Sequence, residues 1–298
     1  METMTTRRDF LRLSAAAAAA GCTLRATGLP AAAPAGNHDG LEYGVQLYMV
    51  RKEAASDLAG VLKKIRATGF TQVELYPIAY THHAPDLKKM VEDAGLGHDS
   101  GHFDFDSIPA RIGYAKDLGL KYMVCSILPE KYWGIAGGFK SAAYNLNQWG
   151  RLVDNADMKL VFHNHNYEFK RLPDGETGFD IMMKGTDSDL VKLELDLYWL
   201  TQAGQDPAAM MKKYRNRLVM IHLKDRVADS PVNYKPQDEQ HITELGKGSI
   251  DWKPLISQAR SQGVKLAFLD QDETKLPVFE SMKENFDYLN GLKLDRVL

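Results

Sequence analysis

The sequence predicts an α/β protein built as a single (β/α)8 barrel, and three observations carry that expectation. First, amphipathic helical stretches repeatedly end at a glycine that feeds a short β-rich run: ATGF at Gly69, DAGL at Gly95, DLGL at Gly119 and SQGV at Gly263. Glycine just past a helix end takes the left-handed conformation at little cost, so each joint reads as a helix stop. Second, joints recur at intervals of about 25 residues, the length of a βα unit, and such units place parallel strands in one sheet. Third, eight β-rich runs fit between residues 43 and 272, and eight parallel strands each followed by a helix close into a barrel.

In order, the strands are YGVQLY, QVELY, the stretch around GHDSGHFDF, KYMVCSIL, KLVFHNH, VKLELDLYW, LVMIHLKD and KLAFLDQD. Helices fit between them, for instance at 58–68, 85–94 and 252–262. An open doubly wound sheet is the alternative. No glycine-rich phosphate fingerprint follows the first strand, which weighs against it. No composition shift marks a second domain.

The 298 residues carry a formal net charge of −2, with 44% hydrophobic and 26% charged side chains. That balance favours neither nucleic acid nor an anionic membrane surface. Two cysteines, Cys22 and Cys125, do not make a disulfide framework. Residues 1–36 are of another kind. TTRRDFLRL leads into the run Ala15–Ala20, and paired arginines before a short, weakly apolar stretch read as a twin-arginine export signal. A basic, frayed helix is the alternative. The small-residue stretch PAAAPAG (30–36) offers cleavage sites, and AAGC ending at Cys22 makes a poor lipoprotein signal because Ala19 replaces a larger aliphatic residue. The barrel then spans 37–298 in a periplasmic or extracytoplasmic location. No segment reaches the roughly 20 apolar residues a membrane crossing needs.

In such barrels the chemistry sits at the C-terminal strand ends. This sequence keeps its unusual polar residues there: Glu74, His102, His163 and His165, Glu194 and Asp196, His222 with Lys224, Asp270 with Asp272. Alternate residues of a strand share a face, so the pairs 163/165, 194/196, 222/224 and 270/272 each point one way. Strands five to eight thereby offer imidazoles and carboxylates toward one space, a mixed N/O set suited to Mn²⁺, Mg²⁺, Zn²⁺ or Fe²⁺. A single histidine of this kind would read as a buried, hydrogen-bonded group. Converging carboxylates would repel one another unless a cation or substrate intervened.

VFHNHNYEF, VKLELDLYWLTQAGQDP, IHLKD, LGKGSIDW and FLDQDET resemble the sugar phosphate isomerase/epimerase family. This is the xylose-isomerase-like TIM-barrel group that also includes inosose dehydratase, dehydroshikimate dehydratase, tagatose epimerase and endonuclease IV. The resemblance spans 43–289 and is close to an exported subgroup of sugar isomerases. It implies one divalent metal bound by Glu, Asp, His and Glu on strands five to eight. Here those positions fall on His163, Asp196, His222 and Asp270. An imidazole and a shorter carboxylate are departures, which put metal affinity and identity in question; Glu194 would supply the missing charge. A histidine two residues past the strand-five ligand handles protons in several dehydratases and lyases of the family, and His165 stands at that offset.

The remaining assignments stay two-sided. Lys224 resembles a residue that meets a substrate oxygen, or it pairs with Asp225 or Asp272. Glu74 is a cavity carboxylate or half of a buried ion pair. His102 binds a sugar hydroxyl or packs. Glu168 orients a histidine or a loop. Trp199, Tyr48 and Trp133 stack on a sugar or fill the core. The stretch 229–248 is a lid that brings Glu244 over the mouth, or a plain surface loop.

The leading expectation is a divalent-metal-dependent isomerase or epimerase that removes a proton beside the carbonyl of a sugar or sugar derivative. The alternatives are an elimination on a 3-keto-glycoside and a metal-free carbohydrate-binding protein. Export argues against a phosphorylated intracellular substrate. An endonuclease-IV-like activity needs a histidine where Trp199 stands. The sequence leaves substrate, metal and homo-oligomer formation undecided.

Overall fold

A computed structural model describes residues 40–235 and 239–294; Arg7, Arg8, the alanine run and Cys22 lie outside the described residues. The barrel strands are β1 (Glu42–Gln46), β2 (Gln72–Leu75), β3 (Gly97–Phe103), β4 (Tyr122–Cys125), β5 (Lys159–His163), β6 (Val191–Asp196) and β7 (Leu218–Leu223). A short antiparallel pair follows, β8 (Asp225–Arg226) with β9 (Ile242–Thr243), and β10 (Leu266–Leu269) is the eighth barrel strand. The eight close in the order β1-β10-β7-β6-β5-β4-β3-β2, with every neighbour parallel. This is the (β/α)8 barrel that the glycine joints predict.

The covering helices are α1 (Arg51–Thr68), α2 (Ala84–Asp93), α3 (Ile108–Leu118), α4 (Ala136–Asp154), α5 (Gly178–Gly185), α6 (Leu197–Gln202), α7 (Pro207–Lys213), α8 (Trp252–Ser261) and α9 (Val278–Gly291). All four joint glycines have positive φ. At Gly119 the left-handed turn brings its N–H within 2.9 Å of the Lys116 carbonyl, closing α3 before β4. The first helix starts earlier than its amphipathic pattern suggests. Asp57 breaks the helical conformation inside α1, and its carboxylate accepts the Gly60 N–H at 2.8 Å, as an N-cap would. The pattern from residue 58 therefore records an internal restart.

Two apolar clusters hold the barrel. The large one lies between strands and helices. The small one, Val124, Val161, Met220, Leu266 and Phe268, is a separate cluster of barrel-strand residues. Two residues further along β5, β7 and β10 come His163, His222 and Asp270, so alternation places the polar site directly on this plug. Among the described residues no helix is long and apolar enough to cross a membrane.

The connection after β7 is folded rather than loose. The Asp225 carboxylate accepts N–H groups of Gly246, Gly248 and Ile250 and the Trp252 indole, at 2.9, 3.3, 3.1 and 3.0 Å. The LGKGSIDW motif is thus wrapped around one buried carboxylate, which does not serve as the partner of Lys224. Further along, Asn166 donates to the Asn233 and Lys235 carbonyls at 3.1 and 3.0 Å, and Gln202 donates to the Pro231 carbonyl. This straps the connection across the loop after β5.

Candidate functional site

Four side chains from consecutive strand ends converge at the C-terminal mouth. His163 closes β5, Asp196 closes β6, His222 sits in β7 and Asp270 follows β10. Each offers a ligand atom within 4.8 Å of the others, and all four are buried. His222 Nδ1 is 3.1 Å from Asp270 Oδ2 and 3.9 Å from Asp196 Oδ2, while His163 Nε2 is 4.0 Å from Asp196 Oδ2. N/O ligands at about 2.0–2.2 Å from a common ion lie about 3–4 Å apart, so this spacing suits a divalent cation with little adjustment. Two buried oxygens support the fit. Asp270 Oδ1 and Asp196 Oδ2 make no hydrogen bond, the latter facing Lys224 Nζ at 3.1 Å.

Lys224 is the resident cation. Its Nζ also meets Asp270 Oδ2 at 2.7 Å and Asp272 Oδ2 at 2.6 Å, and it lies 5.4 Å from the centre of the Trp199 ring. Burial opposes its charge, but Asp196, Asp270 and Asp272 outweigh that and hold its pKa well above the usual range. Burial also works against Asp270, and the charges of Lys224 and His222 overcome it and keep this carboxyl well below its ordinary range.

Beneath this set lies a second layer. Glu194 Oε2 meets His102 Nε2 at 2.9 Å and His163 Nδ1 at 3.0 Å; Glu74 Oε2 meets His222 Nε2 at 2.7 Å and His102 Nε2 at 3.1 Å. Ser100 donates to Glu74 Oε1 at 2.5 Å. His102, His163, Glu194 and His222 form a second donor set that shares two members with the first. The three imidazoles are not alike. Burial favours neutrality in all of them. Glu74 and Glu194 overcome it at His102, which is held at about 9, and Glu194 and Glu74 do so at His222, which is raised well above the usual value. At His163 burial prevails and the pKa falls to about 3, which favours the neutral ring.

His165 lies two residues past the end of β5, where strand parity no longer applies, yet it still reaches the pocket. Its ring centre is 5.0 Å from that of His163 and 5.4 Å from that of Trp199. Burial, with His163 and Lys224 nearby, holds its pKa well below 6.5, and its Nδ1 is buried without a hydrogen-bond partner. Its backbone N–H donates to Glu168 Oε2 at 3.0 Å. Burial raises the Glu168 carboxyl to about 8. Asn164 locks the same loop to β6: its Oδ1 accepts the Asp196 N–H at 3.0 Å.

The pocket above these groups is lined by the expected residues His102, His163, His165, Trp199, Asp270, Asp272 and Tyr48. Glu74, Glu194 and Lys224 are fully buried below it, supporting the lining side chains. Glu244 departs from the expectation that it covers the mouth. Its Oε1 is surrounded by Gln271, Thr274 and Ser281 at 3.0, 2.9 and 3.0 Å. These donors, two from the segment after β10 and one from α9, turn its carboxylate away from the pocket. Trp133 packs on Tyr167, their ring centres 4.4 Å apart. Sequence reasoning missed Gln46, Tyr76, Asp104, Ser126 and Ile127 in the lining. The strand-end rule would have reached Gln46, the last residue of β1, and Ser126, the first after β4.

The closed eight-stranded parallel barrel defines a fold class, and comparison with known proteins places the sequence in a family of that class. Residues 43–269 match the xylose isomerase-like TIM barrel family, and the chain belongs to that family. A curated inosose dehydratase of Clostridium beijerinckii is 32% identical over 165 residues, covering 52% of this chain and 54% of that one. That of Lacticaseibacillus casei is 27% identical over 166 residues, 50% of this chain and 53% of that one. The chain spans about half the length of the curated relatives it matches. A sugar phosphate isomerase/epimerase structure from Parabacteroides distasonis superposes with a TM-score of 0.71 at 25% identity, covering 89% of this chain and 99% of that one. The IOLI protein, solved with a bound zinc atom, shares the fold at TM-score 0.66 and 13% identity, over 84% and 96% of the two chains.

Proposed function

We propose that the protein is an enzyme that removes a proton beside the carbonyl of a carbohydrate-type ketone and expels the neighbouring hydroxyl as water. One observation carries this reading. A histidine with a neutral, unpartnered ring nitrogen, His165, lines the pocket beside His163 and Asp270, two members of a donor set that the buried Asp196 and His222 complete.

His163, Asp196, His222 and Asp270 would hold one divalent ion, whose chemistry there is Lewis-acid polarisation of the substrate carbonyl oxygen. Mn²⁺, Mg²⁺, Zn²⁺ and Fe²⁺ all suit such a set, and the zinc of the IOLI protein favours zinc among them. His165 takes the proton from the carbon next to the carbonyl, and the ring then carries a positive charge. It returns that proton to the departing hydroxyl oxygen, so the net change is loss of one water and formation of a carbon–carbon double bond. Lys224 lies below the pocket against Asp270 and Asp272, where it supports two lining carboxylates. Trp199 gives the ring of the substrate an apolar face.

The relatives named inosose dehydratase favour elimination. The Parabacteroides structure named as an isomerase/epimerase favours the second reading, in which the proton returns to carbon. One experiment addresses both. The Mn²⁺- or Zn²⁺-loaded protein is incubated in D₂O with keto-inositols, ketoses and 3-keto-glycosides, and followed by NMR and ultraviolet absorption. Elimination gives a conjugated enone. Isomerisation gives deuterium at carbon with no absorbance change. Absence of both from every ketone contradicts proton abstraction.

We also propose export by the twin-arginine route, which rests on Arg7-Arg8-Asp9-Phe10-Leu11 before an alanine-rich run. Replacing Arg7 and Arg8 with lysine should hold the precursor in the cytoplasm; unchanged export of that variant contradicts the proposal.

A further inference from the structure

We propose that the pocket selects an uncharged, polyhydroxylated ring, that Asp104 reads its hydroxyls, and that a phosphate ester of the same sugar is rejected. This rests on the carbohydrate reading above and adds to it a substrate class and a specificity residue. The charges that face the cavity motivate it. Its lining carboxylates are Asp104, Asp270 and Asp272, and no arginine or lysine is among the described lining residues. The cation beneath, Lys224, is already shared by three carboxylates. Arg51, beside the rim, is also engaged: it donates to the Tyr48 and Asp272 carbonyls at 2.8 and 2.9 Å and pairs with Glu273 at 2.8 Å. Phosphate recognition normally rests on free arginine or lysine, or on a helix N-terminus aimed at the ligand. Here the lining presents the opposite sign.

Asp104 differs from the other two carboxylates. It follows β3 immediately and is exposed, and its side chain makes no hydrogen bond or ion pair within the described structure. Asp270 and Asp272 are held by Lys224, whereas Asp104 faces the pocket with its accepting capacity unused. An ionised carboxylate accepts hydroxyl donors in short, charge-assisted bonds and can take two at once from neighbouring hydroxyls. The apolar parts of the lining come from Tyr48 and Tyr76, in edge contact with ring centres 5.1 Å apart, and from Trp199. Aromatic faces and a bare carboxylate match a neutral sugar or cyclitol ring, which has C–H faces and a rim of hydroxyls.

The test is calorimetric binding to the Zn²⁺-loaded protein of three pairs: inositol, fructose and glucose, each with its monophosphate ester. Wild type is compared with Asp104→Asn, whose thermal melt verifies folding. We expect a neutral member to bind and its ester to bind at least about tenfold more weakly, and Asp104→Asn to weaken the neutral ligand by about tenfold while narrowing that gap. An ester that binds as well as its neutral partner, or an Asp104→Asn variant that changes neither, overturns the proposal. Binding of no sugar in either form contradicts the underlying carbohydrate reading as well, and so separates the two failures.

Discussion

Two layers of the barrel interior lie one inward-facing position apart along β5, β7 and β10, and their chemistry is opposite. In the lower layer, Val161, Met220 and Phe268 join Val124 and Leu266 in a dry apolar plug. In the upper layer, His163, His222 and Asp270 join Glu74, His102, Glu194, Asp196 and Lys224, all buried. The plug gains stability from burial alone, about 1.5–3 kcal/mol for each large side chain. The upper layer is costly to bury and persists because each charge is given a partner. Three of its carboxylate oxygens make no hydrogen bond, Glu194 Oε1, Asp196 Oδ2 and Asp270 Oδ1, and the last two belong to the donor set, where a cation would complete the pairing. Stability and chemistry are therefore stacked along the same strands, with the mouth resting on the plug.

If the layers divide the work this way, the largest effect belongs to a pocket residue with no structural partner for its ring nitrogen. His165→Ala should lower turnover by roughly 10²–10⁴-fold, with melting temperature and metal content near those of the wild type. Parental turnover in a folded variant would reduce His165 to packing.

The next contrast sets the layers against each other. Phe268→Ala should cost about 3–5 kcal/mol in denaturant unfolding, with metal binding retained. Lys224→Met should cost the metal-free protein about 3–5 kcal/mol, because three buried carboxylates lose their cation, and added Zn²⁺ should recover part of that loss. A Lys224→Met variant as stable as wild type without metal would mean that the upper layer is solvated, and the comparison would break.

A smaller effect sharpens the picture at the edge of the site. Burial lifts the Glu168 carboxyl from 4.5 to about 8. A raised carboxyl pKa contributes stability that is fully present below about pH 4.5 and is lost as pH rises through about 8. Wild-type stability should therefore fall between about pH 5 and about pH 8.5, and Glu168→Gln should flatten that fall. Equal slopes in urea unfolding of the two proteins would show that Glu168 does not titrate in this range.

Much of this was readable in the sequence, for local reasons. Glycine stops such as Gly119 report backbone conformation directly, and period-two spacing places Met220 and His222 on one face whatever surrounds them. The same spacing turns the paired polar residues of β5, β6, β7 and β10 toward one space, and the choice of His163, Asp196, His222 and Asp270 among them rests on the family resemblance. What escaped depends on which of several neighbours a side chain meets. Glu244 carried the right chemistry for a lid residue, but three donors around its Oε1 claim it. Asn164 and Asn166 look like ordinary loop residues until β6 and the strap come to meet them. Asp104 is the first residue after β3 and stands two past His102, so the strand-end rule that found Asp270 after β10 would have reached it as well.

The central claim is that His163, Asp196, His222 and Asp270 form one cation site. Its most direct test is calorimetric titration of Zn²⁺ and Mn²⁺ into the metal-free protein, beside Asp196→Ala. The account predicts saturation at one ion per chain for the wild type and loss of that binding in the variant. Absence of binding to the folded wild type, or equal binding to Asp196→Ala, would contradict it.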